Sequence, residues 1–174
     1  MLFCPFLIKI KKQIRKLRKK NVIDSIIFDV DGTLWDSTDT VARAWNRILE
    51  QKTDLKPTLT GDTLKGLFGR LLPDIAAVIF EKYPREHQLE LIDLCCEEEH
   101  RELLAHPAPV YDTLEETLRI LSGKYPLYIV SNCQAGYIEV FLQATGLGGY
   151  FQDHLCPGDT GQAKAENIGI ITRR

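Results

Sequence analysis

Two aspartates separated by a single valine, Asp29 and Asp31, follow directly after the apolar segment 25–28, and Gly32 and Thr33 come next. Carboxylates at positions i and i+2 of an extended chain point the same way, and a hard cation such as Mg²⁺ relieves the repulsion between them. A Gly-Thr turn lets the backbone approach a ligand closely and exposes N–H groups to an anion. Together these residues predict a site for a metal ion and a phosphate group.

An EF-hand calcium loop or ordinary capping chemistry could also account for paired aspartates. The calcium loop contains D-x-D, but it requires Gly at its sixth position and Glu at its twelfth, where this sequence has Leu34 and Thr40. Turn and helix-capping chemistry explains an aspartate such as Asp36 or Asp39 well. It explains Asp29 poorly, because a carboxylate at the end of an apolar strand is costly to bury without a partner.

The cysteines indicate free thiols rather than a nucleophile or a disulfide framework. Cys95 and Arg101 have the C-x5-R spacing of cysteine phosphatases, which need a Gly-rich loop of free N–H groups around the phosphate. The residues between them are acidic and helical in pattern, so they would repel an anion. No C-x-x-C pair occurs. We therefore expect a reducing compartment and a cytoplasmic protein. The five cysteines are Cys4, Cys95, Cys96, Cys133 and Cys156.

Strands and helices alternate along the chain in a pattern that can position the aspartates. Segment 25–28 is continuously apolar, as in a parallel strand covered on both faces, and the C-terminal end of such a strand is where open α/β sheets bind ligands. The stretch 38–106 is helical with no convincing strand. The predicted strands span 25–28, 126–130 and 153–156, and the predicted helices span 38–52, 73–83, 84–106, 113–123 and 134–146.

The charge of the chain is distributed unevenly. Residues 1–20 contain eight basic side chains and no acidic one, whereas the rest of the chain contains 14 basic and 24 acidic side chains, a formal net charge of −10. An acidic body of this kind carries no electrostatic footprint for nucleic acid. No apolar run approaches the ~18 residues that a membrane-spanning helix needs, and no secretory signal is recognisable.

The basic N-terminal segment, residues 1–21, has the pattern of an amphipathic helix over 6–20. Such a helix could bind a membrane surface or a partner protein, or it could be an appendage without a role. We expect it to be dispensable.

Three motifs in order resemble those of the haloacid dehalogenase superfamily of aspartate-nucleophile phosphatases. The segment DVDGTLWDS is similar to the first motif, D-x-D-G-T. The strand PLYIV followed by Ser131 and Asn132 is similar to the second motif, and Lys164 lies where the third motif places a lysine. The resemblance covers residues 22–168 and is to the phosphoglycolate-phosphatase-like and phosphoglucomutase-like branch.

This resemblance implies a particular fold and domain organisation. It implies an α/β fold, a Rossmann-like parallel-sheet core interrupted by an all-helical cap. Residues 22–37 would form the first part of the core, 38–106 the helical cap, and 107–174 the second part of the core. The segment 66–70 is a candidate cap loop facing the substrate, with Arg70 as the contact residue. The alternative for this segment is a helix C-cap with a solvated arginine.

The resemblance also implies roles for individual residues. Asp29 would attack phosphorus and Asp31 would act as general acid and then general base. The phosphoryl oxygens would be bound by residues of the three motifs, namely Thr33, Ser131, Asn132 and Lys164. Mg²⁺ would be held by Asp29, by the backbone of Asp31 and by an acidic pair of a fourth motif. The expected substrate is a small phosphorylated metabolite of the phosphoglycolate or sugar phosphate class.

The fourth motif has no counterpart before residue 174, so we expect a core that lacks its C-terminal part and a first strand left at the sheet edge. Such an edge and the missing carboxylates would lower solubility, Mg²⁺ affinity and turnover. Two alternatives to a phosphatase stay open. One is a phosphomutase, which uses the same first step, and the other is a non-catalytic relic or interaction protein.

Overall fold

The computed structural model describes residues 23–174, so the predicted N-terminal helix lies outside the described part of the chain. Three parallel strands form the sheet, in the order β1 (Ile26–Phe28), β2 (Leu127–Val130) and β3 (Asp153–Leu155). Ile26 pairs with Leu127, and Tyr128 pairs with Asp153. Within the described residues β1 is an edge strand.

The first four of the five helices between β1 and β2 in sequence are α1 (Thr38–Lys52), α2 (Gly61–Lys65), α3 (Leu72–Ile79) and α4 (Arg85–Ala105). We call α1 to α4 the inserted helices. Helix α1 packs mainly against α4 along the apolar side that its sequence predicted, with Trp45 and Leu49 buried. The short α2 was not predicted. The hydroxyl of Thr60 begins it by accepting a hydrogen bond from the Thr63 amide (3.2 Å).

Helix α5 (Leu114–Ser122) precedes β2, and α6 (Tyr137–Thr145) precedes β3, with a 3₁₀ turn at Leu147–Tyr150 between α6 and β3. Helices α7 (Pro157–Thr160) and α8 (Lys164–Ile171) follow β3. Gly146 ends α6 in the left-handed conformation, with φ of 71°. Because each crossover returns the chain in the same direction, all three strands run parallel.

The main hydrophobic core lies between the sheet, α5, α6 and the inserted helices, and it includes Phe28, Trp35 and Phe141. A smaller cluster on the other face of the sheet joins Val130, Leu155 and Ile171. The parallel sheet with helices on both faces confirms the predicted α/β class. Among residues 23–174, no helix is both long enough and apolar enough to cross a membrane.

Candidate active site

The carboxyl ends of β1 and β2 meet at one edge of the sheet and place Asp29 and Ser131 side by side. A cavity of about 300 Å³ opens there. One wall comes from the core loops and the other from the segment between α2 and α3. Its lining residues are Asp29, Asp31, Gly32, Asp36, Thr38, Lys65, Phe68, Gly69, Tyr111, Ser131 and Asn132. This is the position where parallel α/β sheets bind ligands.

Asp29 is held by one contact to each of its carboxylate oxygens. The Val30 amide donates to Oδ1 at 2.9 Å, and Lys164 Nζ lies 2.7 Å from Oδ2. Lys164 is the first residue of α8, and it does not line the cavity but reaches the carboxylate from beside it. The structure therefore brings together the lysine and the aspartate that lie far apart in sequence.

Asp31 is held differently, by three donors on a single oxygen. Oδ1 accepts hydrogen bonds from Trp35 Nε1 (3.2 Å), Ser37 Oγ (2.7 Å) and the Tyr137 hydroxyl (2.6 Å). Burial raises the pKa of Asp31 to about 6, and the negative charge of Asp29 adds to this rise. The three hydrogen bonds oppose the rise in pKa because they stabilise the charged form. Asp31 thus carries or releases a proton near neutral pH.

The residue after Ser131 connects the core to the inserted helices. Asn132 Nδ2 donates to the Gly69 carbonyl at 2.9 Å, and this bond sets the orientation of the amide. Asn132 Oδ1 is buried with no hydrogen-bond partner within the described chain. One Nδ2 hydrogen is thus engaged, and Asn132 keeps its second Nδ2 hydrogen and its backbone N–H to offer a phosphate. Ser131 is buried at 3% exposure and its amide donates to the Leu155 carbonyl (3.4 Å).

Two other sequence candidates lie outside the cavity lining. Thr33 closes the turn after Asp31 through its amide, which donates to the Val30 carbonyl at 3.1 Å. Arg70 is exposed and borders a second, smaller cavity of about 30 Å³, which Glu99 and Gln134 also line. Asn132 and Asp31 line both cavities, so Arg70 is a neighbour of the predicted site and not part of its 300 Å³ space.

An ion pair that was not predicted from the sequence lines the cavity. Lys65 Nζ, at the end of α2, lies 3.3 Å from Oδ2 of Asp36, which precedes α1. The Thr38 hydroxyl donates to Asp36 at 2.5 Å and is the main reason why the pKa of Asp36 is lowered, with Lys65 contributing. Tyr111 also lines the cavity. Local sequence patterns carried no signal for the Lys65 contact, because it joins an inserted helix to the core.

The carboxylates of Asp29 and Asp31 are suitable ligands for Mg²⁺. Mg²⁺ keeps several waters in proteins and is usually bound through one or two carboxylates plus substrate phosphate oxygens. The paired aspartates at the cavity offer such carboxylates. Among residues 23–174, no group of three or more His, Cys, Asp or Glu side chains is placed to hold an ion. The two carboxylates fit a Mg²⁺ ion that takes its other ligands from phosphate oxygens and water.

A family model described as haloacid dehalogenase-like hydrolase matches residues 23–170 of the chain. No curated protein matches the chain significantly in sequence.

Solved structures share the fold at low sequence identity. A predicted phosphatase of Clostridium acetobutylicum has a TM-score of 0.69 at 19% identity, covering 87% of this chain and 69% of the other. A predicted phosphoglycolate phosphatase of Haemophilus somnus has a TM-score of 0.65 at 24% identity, covering 80% and 64%. A HAD-type hydrolase of Bacillus subtilis, solved bound to magnesium, has a TM-score of 0.59 at 21% identity, covering 88% and 74%.

Proposed function

The chain belongs to the haloacid dehalogenase-like hydrolases, and we propose that it is a Mg²⁺-dependent phosphatase that hydrolyses a small phosphorylated metabolite through an aspartyl-phosphate. One observation carries the proposal. Asp29 and Asp31 share a cavity with Ser131, and Lys164 Nζ lies 2.7 Å from the Asp29 carboxylate. A nucleophile and an acid thus line one space that can take a phosphoryl group, and a cation contacts the nucleophile.

In the first step an Asp29 carboxylate oxygen attacks phosphorus, and the bond from phosphorus to the leaving oxygen breaks. Asp31 donates its proton to that leaving oxygen, so the alcohol departs neutral. The pKa of about 6 allows Asp31 to hold this proton for part of the time near neutral pH.

In the second step water attacks the phosphorus of the aspartyl-phosphate, and Asp31, now ionised, accepts a proton from that water. The bond between phosphorus and the Asp29 oxygen breaks and releases inorganic phosphate. Both side chains return to their starting states, so atoms and charge balance over the cycle.

Charge on the phosphoryl oxygens is balanced by groups that are already in place. Lys164 supplies a positive charge beside Asp29, and Ser131 offers a hydroxyl at the cavity. The Thr33 hydroxyl and the Asn132 backbone N–H are the remaining donors that we assign to phosphate. Mg²⁺, when bound by the Asp29 carboxylate and the Asp31 backbone, supplies further neutralisation of negative charge.

We assign residues 22–37 and 107–174 to the catalytic core and 38–106 to a helical cap over the site. Phe68 and Gly69, between α2 and α3, already line the cavity, which supports a role of this segment in contacting substrate. Arg70 is the adjacent cation and would reach a substrate group that extends toward the smaller cavity. We place the protein in the cytoplasm, since its four described cysteines are all buried free thiols.

The test uses the purified 174-residue chain with p-nitrophenyl phosphate, with and without Mg²⁺. We expect Mg²⁺-dependent release of p-nitrophenol that EDTA abolishes and added Mg²⁺ restores. Asp29→Asn should remove turnover, because the amide is a poor nucleophile, and should keep the melting temperature of the parent. Asp24→Asn is the matched control, since Asp24 is exposed and outside the cavity.

Equal rates of p-nitrophenyl phosphate hydrolysis for the parent and the Asp29→Asn chain would contradict the assignment of Asp29 as the nucleophile. A parent chain with no activity at any Mg²⁺ concentration would contradict the phosphatase proposal. With a sugar phosphate as substrate, release of inorganic phosphate supports hydrolysis, whereas an isomeric sugar phosphate as the product would indicate a mutase.

A further inference from the structure

The hydrogen bonds around Asp31 distinguish its two carboxylate oxygens sharply. Trp35, Ser37 and Tyr137 all donate to Oδ1, at 2.6 to 3.2 Å. Within the described residues no hydrogen bond to Oδ2 is formed, although Asp31 lines the 300 Å³ cavity. A carboxylate oxygen that already accepts three hydrogens has no room for a further partner. Oδ2 is therefore the oxygen of Asp31 that is left for a ligand in the cavity.

We propose that Tyr137 is a positioning residue that anchors Oδ1 of Asp31 in the core and thereby presents Oδ2 to the leaving oxygen of the substrate. The inference rests on the proposed phosphatase function, because it assigns the atom through which Asp31 exchanges its proton. Ser37 and Trp35 share the anchoring. Tyr137 is the member contributed from a different part of the chain, 106 positions from Asp31.

The surroundings of Tyr137 make it a rigid anchor. The side chain is 1% exposed, and its ring packs edge-on against Trp35 with 6.0 Å between ring centroids. Its hydroxyl also lies 3.0 Å from Ser37 Oγ, so the three polar groups form one closed cluster. A phenol held by packing loses little entropy when it fixes a carboxylate. The packing of the ring thus holds the hydroxyl in place, and the hydroxyl restrains the carboxylate.

The position of Tyr137 in the fold also links two parts of the site. It is the first residue of α6, the helix that follows the Ser131 loop, whereas Asp31 follows β1. One hydrogen bond therefore ties the proton donor to the element that follows the phosphate-binding loop.

A purely structural role and a positioning role predict different kinetics. Removing the hydroxyl of a buried tyrosine in a structural role lowers stability and affects all substrates alike. Loss of a well-placed general acid slows mainly those substrates whose leaving oxygen needs a proton. An alkyl phosphate has such a leaving group, whereas p-nitrophenolate departs readily without protonation.

The test compares Tyr137→Phe with the parent chain on p-nitrophenyl phosphate and on glycerol phosphate. We expect kcat/KM, which reports phosphoryl transfer to Asp29 and not the later attack by water, to fall about 10-fold to 100-fold for glycerol phosphate and less than about threefold for p-nitrophenyl phosphate. Tyr150→Phe is the matched control, because the Tyr150 hydroxyl contacts Glu115 (3.2 Å) at an exposed site away from the cavity. Equal losses on both substrates, or no loss on either, would overturn the inference.

Crystal structures of the parent and the Tyr137→Phe chain test the anchoring without any activity. We expect Oδ1 of Asp31 to contact the tyrosine hydroxyl in the parent and the carboxylate to rotate about its χ angles in the variant. An unchanged Asp31 in the variant, or a parent without the contact, would overturn the inference. An inactive parent that shows the contact and the rotation would count against the phosphatase proposal and would support the positioning.

Discussion

The buried carboxyl of Glu99 should make the free energy of unfolding depend strongly on pH. This carboxyl lies on α4 at 4% exposure, where Oε2 accepts from Trp45 Nε1 (2.7 Å) and Oε1 accepts from Gln134 Nε2 (3.1 Å). Burial raises its pKa from 4.5 to about 8, the Gln134 hydrogen bond opposes the rise, and the nearby charge of Asp31 adds to it. The change we consider is Glu99→Gln, which removes the titration and keeps the shape.

The sign of the pH dependence follows from proton binding. Between pH 4.5 and 8 the folded state keeps the Glu99 proton while the unfolded chain releases it. The folded state then binds more protons, so the free energy of unfolding falls as pH rises. At about 1.4 kcal/mol per pH unit, the interval between 4.5 and 8 corresponds to roughly 5 kcal/mol. This is a large share of a typical total stability of about 5–15 kcal/mol.

Urea unfolding followed by tryptophan fluorescence at pH 5, 6, 7 and 8 measures this loss. We expect the parent to lose stability steadily over that range and Glu99→Gln to lose less, with m-values that stay equal. At pH 5 the variant should be slightly less stable, because the introduced glutamine presents an amide N–H₂ to one of the two donors that Glu99 satisfies. At pH 8 the order should be reversed by several kcal/mol.

Titrating groups that do not interact with Glu99 contribute the same slope to both proteins, so the difference between the two reports Glu99 together with its coupling to Asp31. Glu97→Gln is the matched control, since Glu97 lies on the same helix but is exposed. Parallel pH profiles for the parent and Glu99→Gln would show that Glu99 is already ionised in the folded chain, and would refute the reasoning.

Two further predictions concern stability. Gly136→Ala should destabilise the fold by about 1–2 kcal/mol in thermal unfolding, because Gly136 has φ of 85° and an added Cβ would lie 3.2 Å from the His100 ring; an unchanged melting temperature would contradict this. Phe141→Ala should cost about 3–5 kcal/mol in urea unfolding, because Phe141 is fully buried and packs edge-on against Trp35 at 5.1 Å; a loss below about 1 kcal/mol would mean that the core refills the space.

The regular elements follow closely from local sequence patterns. The predicted helix 38–52 agrees with α1, and 84–106 agrees within a residue with α4 (Arg85–Ala105). The predicted helix 73–83 was too long, because the chain leaves helical geometry at Phe80 and turns, with the Tyr83 amide donating to the Phe80 carbonyl (2.9 Å). Periodicity and proline positions report on one segment at a time, so they locate helices better than their ends.

Local sequence patterns are sufficient to predict the α/β class and to place Asp29 and Ser131 at strand ends. A buried parallel strand is recognisable from its own apolar residues, and parallel strands end at a common edge, so the residue after each strand is placed by local information alone. The same information indicated a metal and phosphate site, together with Lys164 through its motif.

The other side chains that contact these residues come from distant segments and are known only from the fold. The Tyr137 hydroxyl on Asp31, Lys65 beside Asp36, and the Asn132 amide on Gly69 each join segments that are distant in sequence. Such contacts depend on how the inserted helices and α6 pack against the sheet, and packing is a property of many side chains at once that no short window of sequence contains. The placement of Asp29 and Asp31 after a strand was therefore predictable locally, whereas the orientation and proton affinity of Asp31 arise from the packed fold.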